Sequence, residues 1–343
     1  MSGRKQHYIP QSLLKRFSSH KSGKNSQVFV HKKGCIPYKC STTGVAAQRD
    51  FYSLPSFDNE QSLDDKIGVF ENYISNELDI LDDSPHMREF DPQKAAALVT
   101  HLSIRTAHFR DSASNIVLLG VSHLKSKFSD RTWLRERMGL DKYSSKSRAV
   151  KSINERIEFL GLPNISRNGM SAIMFEIMQN KFNQYFDENR HLFSSGFDKM
   201  LEEFPKILPK AHQKALENNI APQDRINYLS KMKWNVYMNK NCKNILPDCV
   251  TIALNFKNLP MPYMFSDFDK TSCIIIPVSQ DRLLVGSKKD NAMNMNINRY
   301  FAHCCFEYFV SGQTNIYPKI SDEIGQWSNN YFSELMLDAF DDI

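Results

Sequence analysis

Apolar residues return along much of this chain at steps of three and four. Ile67, Phe70, Ile74, Leu78 and Leu81 keep that spacing, which places all five on one side of a helix with 3.6 residues per turn. Ser84-Pro85 marks the end of the run. Asp91-Pro92 then has the form of an N-cap followed by a first-turn proline. From there Ala95, Leu98, Val99, Leu102, Thr106 and Phe109 draw one continuous stripe, which predicts a single amphipathic helix. Further helices are expected over 116–128, 147–160 and 171–186, with a weaker one over 212–230.

Other stretches read as extended chain. The opening residues form a short extended piece to Pro10, then a helical turn or two through Leu13, Leu14 and Phe17. Residues 27–32 and 35–40, turning at Lys33-Gly34, predict a β-hairpin whose second strand Pro37 confines to an edge. Residues 44–54 read as an irregular connection. After residue 232, β-rich runs at 234–238, 250–254, 263–265, 273–276 and 282–286 alternate with Pro, Asp or Gly turns. Helices over 295–310 and 328–339 close the chain. The expected fold is α+β: a mainly helical middle, an N-terminal β-hairpin, and a C-terminal antiparallel or mixed sheet. The two β regions are short enough to share one sheet. Residues 1–343 are read as one domain with four sub-regions: a basic arm and hairpin (1–55), a helical part (60–230), a β-rich part (232–290) and C-terminal helices (293–343).

Composition adds limits. With 41% hydrophobic residues, 23 Phe and 13 Tyr, the chain can fill a core, which excludes wholesale disorder. No apolar run approaches the roughly 20 residues of a membrane helix, and the first residues lack a signal peptide's apolar stretch. Seven irregularly spaced cysteines fit a reducing compartment. A cytoplasmic protein with no membrane partner is expected.

Charge is segregated. Residues 1–49 hold ten Lys or Arg and no Asp or Glu, although the net charge of the whole chain is only +6. A second basic stretch runs from Arg105 to Lys151, and the last 22 residues carry six acids and no Lys or Arg. A local positive field of this kind favours phosphate-bearing partners.

The segment Lys5-Gln-His-Tyr-Ile-Pro-Gln-Ser-Leu-Leu-Lys-Arg-Phe17 resembles the opening of bacterial proteins grouped as domain of unknown function 4238. Val45-Ala-Ala-Gln-Arg-Asp-Phe-Tyr52, the Arg105-Thr pair, Trp234, Phe265-Ser-Asp267 and Ile276-Pro-Val-Ser279 follow in the family's order. The family continues its Ser-Asp with a polar residue and Pro-Val, whereas Phe268-Asp269-Lys270 stands here. The resemblance implies a shared architecture and supplies no chemistry.

The candidate chemistry therefore comes from the residues. His7, two residues before an Ile-Pro pair, has the setting of a general base in HNH nucleases, with Asn25 and His31 downstream; Cys35 and Cys40 lack zinc-knuckle spacing. His101, Arg105 and His108 sit at i, i+4 and i+7 of the expected helix, so two imidazoles would flank a guanidinium able to clamp a phosphate. Asp267, at an expected strand end, is the candidate carboxylate, as metal ligand or orienting acid. Arg4, Lys5, Lys15, Arg16, Arg49 and Tyr52 are the expected substrate-binding residues. No residue set has the spacing of a protein-held metal site, although a divalent metal such as Mg²⁺ would suit the chemistry. Phosphate loops and nucleophile elbows are absent. The readings that follow are a nuclease, in the manner of a bacterial toxin or phage-defence effector, or a non-catalytic module binding nucleic acid or protein. An enzyme on small phosphorylated metabolites fits the same clamp.

Overall fold

The computed structural model describes residues 5–22, 25–52, 63–159, 167–239, 243–288, 296–315 and 320–331. The chain divides into two compact units, one formed by residues 1–114 with 208–343 and the other by 115–207.

The first unit opens with β1 (Lys5–His7), α1 (Gln11–Lys15), β2 (His20–Ser22), β3 (Asn25–Lys32), β4 (Tyr38–Ser41) and β5 (Ala47–Arg49). The expected hairpin is β3–β4, turning through Gly34 at φ +68°, a left-handed conformation that glycine adopts without strain. β5, expected to be irregular, is a strand that pairs antiparallel with β1; Ala46 and Asp50, both at φ +53°, bracket it.

Helices α2 (Leu63–Asp82) and α3 (Pro92–Ile104) follow. The Asp91 side chain accepts from the Lys94 N–H at 2.9 Å, the cap that the sequence announces. The stripe predicted to run on to Phe109 is instead cut at Arg105. Thr106 Oγ1 accepts from the Phe109 N–H and thereby caps a new helix, α4 (Ala107–Ser129). A hydroxyl that can satisfy a first-turn amide competes with helix continuation.

After the second unit the chain returns through the last residues of α7 (Arg167–Asn218) and α8 (Gln223–Leu229). It then forms β6 (Lys233–Met238), β7 (Leu246–Pro247), β8 (Ile252–Asn255), β9 (Pro260–Pro262), β10 (Thr271–Pro277), β11 (Arg282–Ser287), α9 (Ile297–Cys304) and β12 (Tyr308–Ser311). The Tyr263–Phe265 run, read as a strand, is a 3-10 turn following Pro262. The helix expected over 295–310 stops at Cys304. Cys305 turns extended and Tyr308-Phe-Val-Ser pairs with β3, as aromatic and β-branched residues favour. The helix expected over 328–339 falls mostly outside the described residues.

All pairings among the described residues are antiparallel, in an α+β fold with the order β6-β11-β10-β8-β9 in one sheet and β2-β3-β12-β7 in another, where β4 also pairs β3. Part of the C-terminal β region thus joins the N-terminal hairpin, while the larger part forms its own sheet. That larger sheet is covered on both faces. Ile274, Ile276, Leu284 and Trp234 join a core with α1, α2 and α3. The alternate residues Cys273, Ile275, Leu283 and Val285 join a second core with α9 and Phe309. Period-2 alternation with two covered faces explains why β10 reads as an unbroken apolar run.

Gly286 lies opposite Trp234 in the β11–β6 register, and a Cβ there would stand 2.6 Å from the indole ring. Gly286→Ala is therefore expected to destabilise the protein by about 1–3 kcal/mol. The cost should shrink in a Trp234→Leu background, as coupled neighbours require; urea denaturation of the four proteins measures the coupling.

The second unit, by itself, contains the remainder of α4, α5 (Arg131–Arg137), α6 (Arg148–Phe159) and most of α7. Its core gathers Leu140, Val150, Ile153, Ile157 and Phe175. The helices expected at 171–186 and in the first part of 212–230 belong to one 52-residue helix. That helix continues through Pro205 and Pro209, although each proline removes one backbone donor.

Candidate functional site

Two groups of polar side chains meet in the first unit. The first surrounds Arg105, whose side chain is 1% exposed. As the C-cap of α3, it points its guanidinium at four partners. Nε donates to the Tyr52 hydroxyl at 3.2 Å, Nη1 to His101 Nε2 at 3.1 Å, and Nη2 to the His7 carbonyl at 2.6 Å and to the Glu71 carboxylate. Because arginine only donates, His101 Nε2 must accept, so the ring is neutral. Burial, and then the Arg105 charge, hold His101 well below the usual imidazole range. Its ring also stacks on Phe70 at 4.2 Å. This group fastens β1, α2, α3 and the segment after β5 together.

The second group lines a cavity of about 270 Å³. The β1–β5 ribbon contributes Tyr8, Ala47 and Gln48; the first turn of α4 contributes His108, Arg110 and Asp111; Asp248 follows β7; Phe306, Glu307 and Tyr308 lead into β12. The Asp248 carboxylate is buried and accepts from the backbone N–H of Phe306 (3.0 Å), Glu307 (2.7 Å) and Tyr308 (3.1 Å). Burial pushes it up to about 6, against the pull of those donors. His108 Nε2 faces the Cys304 carbonyl at 3.1 Å. A carbonyl can only accept, so this nitrogen carries the proton and Nδ1 keeps the lone pair of the neutral ring. Burial brings His108 down to about 4. Arg110 lies over the Phe51 ring at 4.3 Å and donates to Asp111 at 2.7 Å and to Gln48 at 3.1 Å. The Tyr8 and Tyr308 hydroxyls meet at 3.2 Å, and burial raises Tyr8 to about 12.

The residues singled out in the sequence are divided between these groups and the surface. His7, His101 and Arg105 come together, but the expected common face of His101, Arg105 and His108 does not form. The helix break after Arg105 sends His108 to the cavity instead. Arg105, expected as a phosphate clamp, and Tyr52, expected on a binding surface, are both buried and turned to protein partners. His7 Nε2 lies 3.0 Å from Gln11 Nε2, and burial lowers its pKa. Asp267 sits on an exposed turn. It accepts from the Asp269 N–H and pairs with Lys270, and these bonds to the charged form hold it below the usual carboxylate range. Arg16 is bound to Asp79 and Asp82 of α2. Lys15 is exposed, and so are Lys5 and Arg49, which stand directly opposite each other across β1–β5. Arg4 lies outside the described residues. His31, the downstream histidine of the HNH reading, is buried against Phe309 and Ser311.

Tyr8, Arg110, Asp111, Asp248, Glu307 and Tyr308 escaped the sequence reading. The adjacent pairs Arg110-Asp111 and Asp248-Cys249 are the only local signal they leave. No helix among the described residues is long and apolar enough to cross a membrane, and the six described cysteines are free thiols.

Fold and site together define an α+β protein with a polar pocket beneath a basic β-ribbon. The chain belongs to the family described as protein of unknown function (DUF4238), whose model matches residues 5–315. No curated protein and no solved structure matches the chain.

Proposed function

We propose that this protein is a hydrolase acting on nucleic acid, gripping the phosphate backbone with the β1–β5 ribbon and reacting in the adjoining pocket. One observation carries the reading: the ribbon that supplies Tyr8, Ala47 and Gln48 to the pocket also sets Lys5 directly opposite Arg49. Like charges in direct register repel, and neither side chain has an acidic partner among the described residues. An anionic ligand relieves that repulsion, and phosphate is the anion that a linear basic ribbon suits. Burial disturbs the ionisation of both His108 and Asp248 in the pocket, which marks them for proton or ligand chemistry. Arg110 is the cation beside them.

A cleavage assay on labelled RNA and DNA, with Mg²⁺, Mn²⁺ or Zn²⁺ and with EDTA, tests the proposal. His108→Gln is expected to lower cleavage by about 100-fold or more while leaving binding intact. Lys5→Glu with Arg49→Glu is expected to weaken binding and to reduce the slope of log K against log salt by about 2, roughly one for each phosphate that the ribbon no longer neutralises.

A second reading, a binding module without catalysis, is favoured by the three backbone donors that already occupy Asp248. Salt-dependent binding without cleavage under any metal would decide for it. Binding indifferent to salt and to the Lys5/Arg49 change would sink both.

A further inference from the structure

We infer that His108, Asp248 and Cys249 form a site for a zinc-class divalent ion at the inner wall of the pocket. One ligand atom from each of these three buried residues lies within 4.8 Å of the other two. In a tetrahedral zinc site, bonds of about 2.0–2.3 Å bring neighbouring ligand atoms to about 3.5 Å, a contraction that side-chain rotation can supply.

Three independent features place these donors deliberately. The first is backbone strain. Val250, a β-branched residue, is held at φ +62° directly after the Asp248-Cys249 pair. Left-handed backbone is a genuine outlier for such a side chain and accumulates where geometry serves function. The tight turn is closed by Val250 N–H to the Pro247 carbonyl at 2.9 Å and Thr251 N–H to the Cys249 carbonyl at 2.7 Å. It sits directly after two consecutive residues whose ligand atoms lie within 4.8 Å of one on His108. The second feature is the outer layer of hydrogen bonds: the carboxylate is oriented by three amides and the imidazole by the Cys304 carbonyl. Metal-ligating histidines and carboxylates are oriented by hydrogen bonds of this type. The third is access, since His108 and Asp248 line the cavity, while Cys249, next in sequence, is buried in the adjoining core. A water completing the coordination has room to enter.

The donor set selects the ion. Thiolate and imidazole with one carboxylate suit zinc and its neighbours, whereas Mg²⁺ takes oxygen ligands. The Mg²⁺ named from the sequence is therefore a poor match for this site. A bound ion would polarise a phosphoryl oxygen or activate water, and it would offset the charge of Asp111, Asp248 and Glu307 toward an anionic substrate. The inference deepens the pocket reading above, but metal binding is measured without any substrate, so the two fail separately.

The test is Co²⁺ titration of the full chain carrying Cys35→Ser, Cys40→Ser and Cys242→Ser, which removes three competing thiols. One equivalent of Co²⁺, with a thiolate-to-cobalt charge-transfer band displaced by Zn²⁺, is the expected result. Cys249→Ser should abolish the band, and His108→Gln should weaken binding by about 10-fold or more. No such band in the folded background protein, or a band unchanged by Cys249→Ser, overturns the site. If circular dichroism finds Cys249→Ser unfolded, His108→Gln decides: an unchanged cobalt affinity overturns the site. Cobalt binding without cleavage removes the nuclease reading alone, and cleavage without cobalt binding removes the metal site alone.

Discussion

Arg105→Ala is expected to be among the most destabilising single substitutions in the first unit, at about 3–5 kcal/mol. The wild-type guanidinium is fully buried and serves Tyr52, His101, the His7 carbonyl and Glu71 at once. Truncation leaves His101 Nε2 and the His7 carbonyl without a donor, strands one oxygen of a partly exposed Glu71, and opens a cavity between α2, α3 and β1. Unsatisfied buried acceptors carry their full desolvation cost, which exceeds the net value of the bonds themselves. Arg105→Lys keeps the charge but cannot reproduce a planar fork reaching four groups, so it should recover only part of the loss. Urea denaturation measures both variants. A loss below about 1 kcal/mol for alanine would mean that Arg105 does not fasten the arm to the helices. Under the proposed nucleic-acid reading, binding should follow the folded fraction, because the guanidinium has no face left for a phosphate.

That outcome bears on how far the sequence could be read. The helix starting at Asp91-Pro92, the β3–β4 hairpin and the β10 strand were legible because each depends on local pattern: a cap, a glycine turn, a run of β-branched residues. The break at Thr106 was not legible. The apolar stripe passes through it undisturbed, and a hydroxyl capping a new helix looks the same in sequence as one lying on a continuing helix. One residue of misreading there moved His108 from the Arg105 face to the pocket, a distance that periodicity cannot register. α9 was overextended for a similar reason. Tyr308-Phe-Val has apolar residues compatible with either period, and only its pairing with β3, some 280 positions earlier, makes it a strand. The pocket itself is assembled from β1, β5, α4, the turn after β7 and the start of β12. Beyond the adjacent pairs Arg110-Asp111 and Asp248-Cys249, nothing near them in sequence marked Asp248 and Arg110 as members of one site. The basic arm was visible as a charge bias, yet composition could not separate Arg16, which ties α1 to α2, from Lys5 and Arg49, which face outward.

The buried histidines predict a protein that loses stability steeply in mild acid. His101 is the sharpest case. It has no solvent exposure, stacks on Phe70 from α2, and accepts a hydrogen bond from Arg105 at its own helix end. Its folded pKa is depressed well below 6.5, first by burial and then by the arginine. The unfolded chain takes up this proton near pH 6.5 and the folded chain refuses it. Stability from this group is thus complete above about pH 6.5 and is lost as pH falls, at up to about 1.4 kcal/mol per pH unit. His7, His31 and His212 are lowered in the same direction by burial and steepen the fall. Asp248, raised to about 6, works the other way between its unfolded and folded values, so the whole-protein slope is a sum of opposing parts. Comparison with His101→Gln isolates one of them. Glutamine offers Arg105 an acceptor oxygen but binds no proton. The variant should therefore start less stable at about pH 7.5 yet decline less between about pH 6.5 and 5, by about one proton in the linkage slope. Urea denaturation at a series of pH values gives both curves. Parallel curves would mean that His101 already carries its proton in the folded protein, which would also require Arg105 to have turned away from it.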